Sequence, residues 1–140
     1  MRPRKTPRFR PTVMVVDDEP KVCRLLEKVL GEEGYHVVTA TSGKRALALA
    51  LAIRPDVVVL DVVMPGIDGV ATLRELRKQG HGSPVVMLTA RANVWTAREA
   101  MMLGAIEYIT KPFNLEFFKS VLREGVRACQ EGRRDSACAQ

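Results

Sequence analysis

Each of four apolar segments ends in residues that can do chemistry. Segment 12–16 runs into Asp17 and Asp18, 57–60 into Asp61, 84–88 into Thr89, and 107–109 is followed by Lys111. Three carboxylates, a hydroxyl and an ammonium thus sit where apolar runs stop, and runs lying side by side would bring all five to one edge. Carboxylates crowded at one mouth repel one another, which raises their pKa values or recruits a cation. A hard divalent ion suits them. Magnesium takes oxygen ligands, keeps several waters, and is held by one or two carboxylates together with phosphate oxygens. A hydroxyl and an ammonium beside such an ion bind the remaining oxygens of a phosphoryl group. A carboxylate can also be the nucleophile, forming an aspartyl phosphate. The residue types therefore point to Mg²⁺-dependent phosphoryl chemistry on an aspartate, without choosing which aspartate.

The elements that must position these groups follow from the apolar patterning. A first strand (β1) is expected over 12–16, and Pro20 fits the first position of a helix (α1) whose Val22, Leu25, Leu26, Val29 and Leu30 recur at helical spacing until Gly31 and Gly34. A strand over 36–40 (β2) precedes a helix capped by Ser42 and running to about 52 (α2), closed by Arg54-Pro55. The run 57–60 (β3) leads through a loop containing Gly66, Asp68 and Gly69 into a helix bearing Val70, Leu73 and Leu76 (α3). The strand over 84–88 (β4), a helix over 94–103 (α4), a short strand over 107–109 (β5) and a helix over 115–128 (α5) complete the series. Continuous rather than alternating apolar strands, each followed by a helix, mark a parallel sheet covered on both faces. The expected fold is α/β: a single-domain, doubly wound, five-stranded parallel sheet, with a flavodoxin-like strand order favoured. In such sheets ligands bind beyond the carboxyl ends of the strands, where the five groups lie.

Composition sets the boundaries of that domain. The chain of 140 residues, 46% apolar and 27% charged, has room for one core and not for a second full domain. No stretch approaches the ~18 apolar residues of a membrane span. Of the net charge of +6, five positive charges (Arg2, Arg4, Lys5, Arg8 and Arg10) lie in the first ten residues among Pro3 and Pro7, leaving the rest of the chain close to neutral. Residues 1–11 are therefore expected to be a flexible basic arm, more a solvated tail than a nucleic-acid contact. Residues 129–140 lose apolar periodicity and are expected to be a tail or the start of a linker. Cys23, Cys129 and Cys138 form no CxxC pair, which argues against zinc or a disulfide framework and makes Cys23 a core residue. Met87, Met101 and Met102 read as core filling. Trp95 is either core or a partner-binding anchor.

The sequence resembles the receiver domain of two-component response regulators over about residues 12–128. The resemblance rests on Asp17-Asp18-Glu19-Pro20 after an apolar strand, on Leu60-Asp61-Val62-Val63-Met64-Pro65-Gly66-Ile67-Asp68-Gly69, on Thr89-Ala90, and on Lys111-Pro112-Phe113. It implies a CheY-like (βα)5 signalling domain, not an enzyme, with Asp61 as the phosphoacceptor. It also implies Mg²⁺ held by Asp18, Asp61 and the backbone carbonyl of Val63, with Asp17 acting through metal-bound water. Thr89 and Lys111 would bind the phosphoryl group, and Thr89 with Tyr108 would form the switch. The Lys111-Pro112 bond would be cis. The implied partners are a histidine kinase or phosphotransfer protein and a downstream protein bound at the α4-β5-α5 face, from about Ala92 onward, with a homodimer also possible and the cytoplasm as location. Val63 and Arg91 occupy positions that tune phosphoryl lifetime in the family. A β-branched apolar side chain and a long cation there imply slow autodephosphorylation.

Three other readings compete. An aspartyl-phosphate phosphohydrolase of the haloacid-dehalogenase type would need a second aspartate where Val63 stands. A phosphorylation-independent scaffold would not need all five groups. A receiver cut from a longer DNA-binding regulator or hybrid kinase is compatible with the aperiodic tail.

Overall fold

The structure, a computed structural model, describes residues 10–91 and 93–139, with side chains as far as Gly132. Residues 1–9 of the expected basic arm, and Ala92 at the start of the expected output face, lie outside the described residues. The elements are β1 (Thr12–Val16), α1 (Pro20–Glu32), β2 (His36–Ala40), α2 (Gly43–Ile53), β3 (Val57–Leu60), α3 (Gly69–Lys78), β4 (Val85–Thr89), α4 (Val94–Met102), β5 (Ala105–Thr110) and α5 (Leu115–Ala139). The five strands form one sheet in the order β2-β1-β3-β4-β5, every neighbouring pair parallel. This is the flavodoxin-like order, with its reversal next to β1.

Alternation along each strand splits the apolar side chains between two layers. Met14, Val16, Val58, Leu60, Val85 and Met87 pack against α2, α3 and α4 through Ala46, Ala50, Leu73, Leu76 and Ala100. Val13, Val15, Val57, Val59, Val86 and Leu88 face α1 and α5 through Cys23, Leu26, Leu30, Phe118 and Leu122. A strand with both faces covered has no polar side to show, which is why these runs read as unbroken apolar residues, mostly valine with leucine and methionine. Cys23 is buried as expected, its thiol donating to the Asp17 carbonyl at 3.3 Å.

The helix starts are chemically marked. Pro20 opens α1, Ser42 caps α2 through the Arg45 N–H, Asp68 caps α3 through the Ala71 N–H at 2.8 Å, and Asn93 caps α4 through the N–H groups of Trp95 and Thr96. Each such side-chain cap contributes about 1 kcal/mol.

Several expectations need correction. The last helix does not end near residue 128 but runs to Ala139. Loss of apolar spacing marks where packing onto the sheet stops, whereas the helix continues through good helix formers (Gln130, Glu131, Arg133, Arg134, Ala137, Ala139) mixed with weaker ones and with Gly132, which costs about 1 kcal/mol. β5 begins at Ala105 rather than 107, because a register shift opposite Val85/Val86 lets Ala105 pair before Ile106 bulges out. Met87 is core, but Met101 and Met102 are exposed, as is Trp95 at 74%. The single buried residue of α4 is Ala100, so this helix meets the sheet through a narrow stripe and turns its large apolar side chains outward.

Candidate functional site

Backbone pairing carries the functional residues to one edge. The Asp17 N–H donates to the Ala40 carbonyl at 3.1 Å, the Asp61 N–H to the Val16 carbonyl at 2.9 Å, and the Lys111 N–H to the Thr89 carbonyl at 2.8 Å. Each bond extends the ladder one residue beyond a strand and fixes where the next side chain emerges. Because β1, β3, β4 and β5 are consecutive in the sheet, Asp17, Asp18, Asp61, Thr89 and Lys111 share the carboxyl edge.

At that edge Asp17, Asp18 and Asp61 each place a carboxylate oxygen within 4.8 Å of the others, the one such cluster of potential metal ligands among the described residues. Asp17 is 3% exposed and Asp61 8%. The Lys111 ammonium pairs with Asp17 Oδ2 at 2.9 Å, while Asp17 Oδ1 accepts the Glu19 N–H at 2.9 Å. Asp17 is thereby held from both sides. Neither Asp17 nor Asp18 caps α1: Glu19 occupies that position without a side-chain cap. Burial pushes the Asp61 carboxyl above its ordinary range, the Asp17 charge adds to the effect, and Lys111 with the N–H groups of Val63 and Val62 only partly offsets it.

Three carboxylates against one ammonium leave surplus negative charge in a half-buried pocket, and the donors are all hard oxygens. That set fits a small divalent cation of the magnesium type and does not fit a soft metal. Beside it, the Thr89 hydroxyl is fully buried and accepts the Arg91 N–H at 3.1 Å, which leaves its proton free to donate. Val63 is 48% exposed and Arg91 is also exposed, so neither is a core residue. Tyr108 is half-buried one strand away, its hydroxyl 2.9 Å from Thr96 Oγ1. The Lys111-Pro112 bond is cis.

Two residues of this region were invisible as functional in the sequence. Gly69 reads there as a turn residue, yet a Cβ on it would lie 2.0 Å from the Asp61 carbonyl oxygen. Its N–H donates to the Val62 carbonyl at 2.8 Å, so the start of α3 lies directly against the backbone of the acidic loop. Thr96 carries no motif at all, and only its contact with Tyr108 singles it out.

A doubly wound parallel domain with an acidic, cation-ready strand edge beside a hydroxyl and an ammonium is an α/β protein built to meet a cation and anionic oxygens at the carboxyl ends of its strands. Residues 13–123 match the family model described as the response regulator receiver domain, and the chain belongs to that family. It is 45% identical over 111 residues to the transcriptional regulatory protein TcrA of Mycobacterium tuberculosis, covering 79% of this chain and 44% of that protein. Among solved structures it superposes on the chemotaxis protein CheY4 of Vibrio cholerae with a TM-score of 0.78 at 32% identity, covering 84% of this chain and 99% of that one. The response regulator TrrA of Thermotoga maritima, solved in complex with Mg²⁺ and a beryllium fluoride, matches with a TM-score of 0.74 at 35% identity, covering 81% of this chain and 97% of that one. The chain spans 25 to 48% of the length of the curated relatives it matches. Among the described residues no helix is long and apolar enough to cross a membrane.

Proposed function

We propose that Asp61 accepts a phosphoryl group from the phosphohistidine of a histidine kinase or phosphotransfer protein, and that the charge it gains switches a protein-binding face. The observation that carries this reading is the gathering of Asp17, Asp18 and Asp61 within 4.8 Å beside Thr89 and the paired Lys111. An Asp61 carboxylate oxygen attacks phosphorus, the donor's P–N bond breaks with its electron pair remaining on the imidazole, and the imidazole takes up a proton from water. The product is an acyl phosphate. Asp18, Asp61 and the Val63 carbonyl, with Asp17 beside them, would hold a magnesium ion, which would supply neutralisation of the charge on the transferring group.

The chain's own residues do the rest. Burial strips Asp61 of most of its solvent, so its oxygen reaches phosphorus without first shedding a full hydration shell. Lys111 lies between Asp17 and the pocket, placed to exchange its carboxylate partner for a phosphoryl oxygen. Thr89 offers its hydroxyl proton to a second oxygen. Val63, apolar and exposed, offers no polar group to orient a hydrolytic water, and the long cation of Arg91 would shield the phosphoryl group, which together favour a long-lived acyl phosphate. The exposed Val94, Trp95 and Met102 of α4 support an output face on the α4-β5-α5 side in a cytoplasmic signalling protein. Because the matching relatives are longer transcriptional regulators, the receiver unit of such a regulator is the second reading to keep.

Intact-mass measurement after incubation with Mg²⁺ and acetyl phosphate tests the proposal. One phosphoryl adduct is expected, absent in Asp61→Asn and absent without metal, and it should persist well beyond seconds after the donor is removed. An adduct retained in Asp61→Asn would overturn the assignment of the acceptor. Failure of the wild-type chain to take either a phosphoryl group or beryllofluoride would support a phosphorylation-independent scaffold instead.

A further inference from the structure

A chain of hydroxyl contacts lies next to the acidic edge and has no part in the chemistry above. Thr96 Oγ1 is 3.0 Å from the Asn93 carbonyl oxygen and 2.9 Å from the Tyr108 hydroxyl. A carbonyl only accepts and Thr96 has one hydroxyl proton; with that proton on Asn93, Tyr108 is the donor to Thr96. The Asn93 side chain accepts from the N–H groups of Trp95 and Thr96, so the first turn of α4 is tied together around Thr96. At the other end of the same connection the Arg91 N–H donates to Thr89 Oγ1. The turn between β4 and α4 therefore joins Thr89, through Asn93 and Thr96, to an aromatic ring on β5.

We propose that Thr96 is a positioning residue for phosphorylation: its hydroxyl latches Tyr108 to the α4 turn in the phosphate-free arrangement, and so sets how readily the domain passes to the phosphorylated one. The inference rests on Asp61 being the phosphoacceptor and assigns a specific contact to the resting state. That state is recognisable from the site itself. Thr89 is engaged by its own loop and Lys111 by Asp17, so both groups expected to hold the phosphoryl have intramolecular partners while the latch is closed. Drawing the Thr89 side chain toward Asp61 pulls on the turn. The Tyr108 backbone cannot follow, because it is paired in the β4–β5 ladder opposite Met87 and the next anchor is the Lys111 N–H on the Thr89 carbonyl, so only its ring is left to turn away. The hydroxyl–hydroxyl contact is the link between the moving part and the fixed part, and it is the one that opens.

A contact present in only one of two states shifts their balance by its own net free energy. For one hydrogen bond that corresponds to roughly a 2- to 10-fold change. Trp95, the only tryptophan of the chain and an exposed member of this turn, is a built-in reporter. Titration with beryllofluoride in Mg²⁺ buffer, followed by Trp95 fluorescence, should give a midpoint roughly 2- to 10-fold lower in Thr96→Val than in the wild type, with a similar drop in Tyr108→Phe. The double variant should match either single one, because both remove the same bond, and Thr96→Ser should restore the wild-type midpoint. Unchanged or raised midpoints, or additive effects in the double variant, would overturn the latch while a wild-type response lost in Asp61→Asn upholds the acceptor. Absence of any wild-type response to beryllofluoride would overturn both.

Discussion

Gly69→Ala is the substitution for which the structure makes the strongest claim. The added Cβ would sit 2.0 Å from the Asp61 carbonyl oxygen and 2.8 Å from both the Asp61 carbonyl carbon and Val62 Cα, where ordinary contact begins at 3.4 Å. All three atoms are backbone, so no side chain can swing away, and something must move by about 1 Å or more. On the helix side, Gly69 is followed by the buried Val70, Leu73 and Leu76 and preceded by the Asp68 cap, so α3 is anchored. On the other side lies the loop 61–63, whose Val63 is half exposed. The loop is the part that yields. Its displacement costs about 1–3 kcal/mol as overpacking, which a domain with the usual 5–15 kcal/mol survives folded. Displacing a reacting group by about 1 Å costs on the order of 100-fold in rate. Urea denaturation should therefore show a moderate loss of stability, while the rate of phosphoryl uptake from acetyl phosphate, read by intact mass, falls on the order of 100-fold. Gly31→Ala is the matched control: nothing lies within 4 Å of its Cβ position in α1, and it should raise stability by up to about 1 kcal/mol without touching the rate. A folded Gly69→Ala protein that is phosphorylated at the wild-type rate would refute the idea that this close approach positions Asp61.

Two further predictions concern the opposite end of the sheet. Arg77 donates to the carbonyls of Leu103 at 2.7 Å, His81 at 2.8 Å, Ser83 at 3.0 Å and Gly104 at 3.3 Å, so Arg77→Met, which keeps the stem and removes the donors, should cost about 2–4 kcal/mol in urea denaturation with an unchanged m-value. His81 has its Nδ1 3.0 Å from Ser83 Oγ and its Nε2 buried without a hydrogen-bond partner, and burial, with the Arg54 and Arg77 charges nearby, holds its imidazole below the ordinary value of 6.5. The unfolded chain then takes up a proton at a higher pH than the folded one, so stability should fall as pH drops through that ordinary value toward the folded one, and His81→Asn should flatten this part of the difference between denaturation curves at about pH 5 and about pH 8.

What could be read from the sequence follows from how each group is placed. Asp17, Asp61 and Thr89 were legible because a strand of a parallel sheet ends where its apolar run ends, and the connections bring all such ends to one edge. Lys111 was legible for the same reason, although β5 was read as two residues too short at its start. The two-sided burial that makes β1, β3 and β4 nearly continuous runs of valine, leucine and methionine also makes them easy to find. α5 shows the opposite case: its periodicity reports the surface it covers, so the turns beyond the sheet read as tail although the backbone stays helical. Met101 and Met102 misled in another way, since polarity says what a residue could bury and not whether its helix has a face left to bury it. Arg77 and Thr96 left no signal because their partners are backbone carbonyls or a lone hydroxyl far away in the chain, while Gly69, although part of the 60–69 motif, read only as a turn because its close approach to the Asp61 backbone is set by packing. Arg77 reaches 26 residues ahead to Leu103, and Thr96 reaches 12 residues ahead to Tyr108. Contacts of that kind have no period and no motif; they exist only once the sheet has set the distances. The aspartates of the edge can accordingly be read from strand ends, whereas the choice of Asp61 as acceptor rests on the family resemblance. The residues that decide how firmly it is placed, and how tightly the neighbouring turn is held, emerge only from packing.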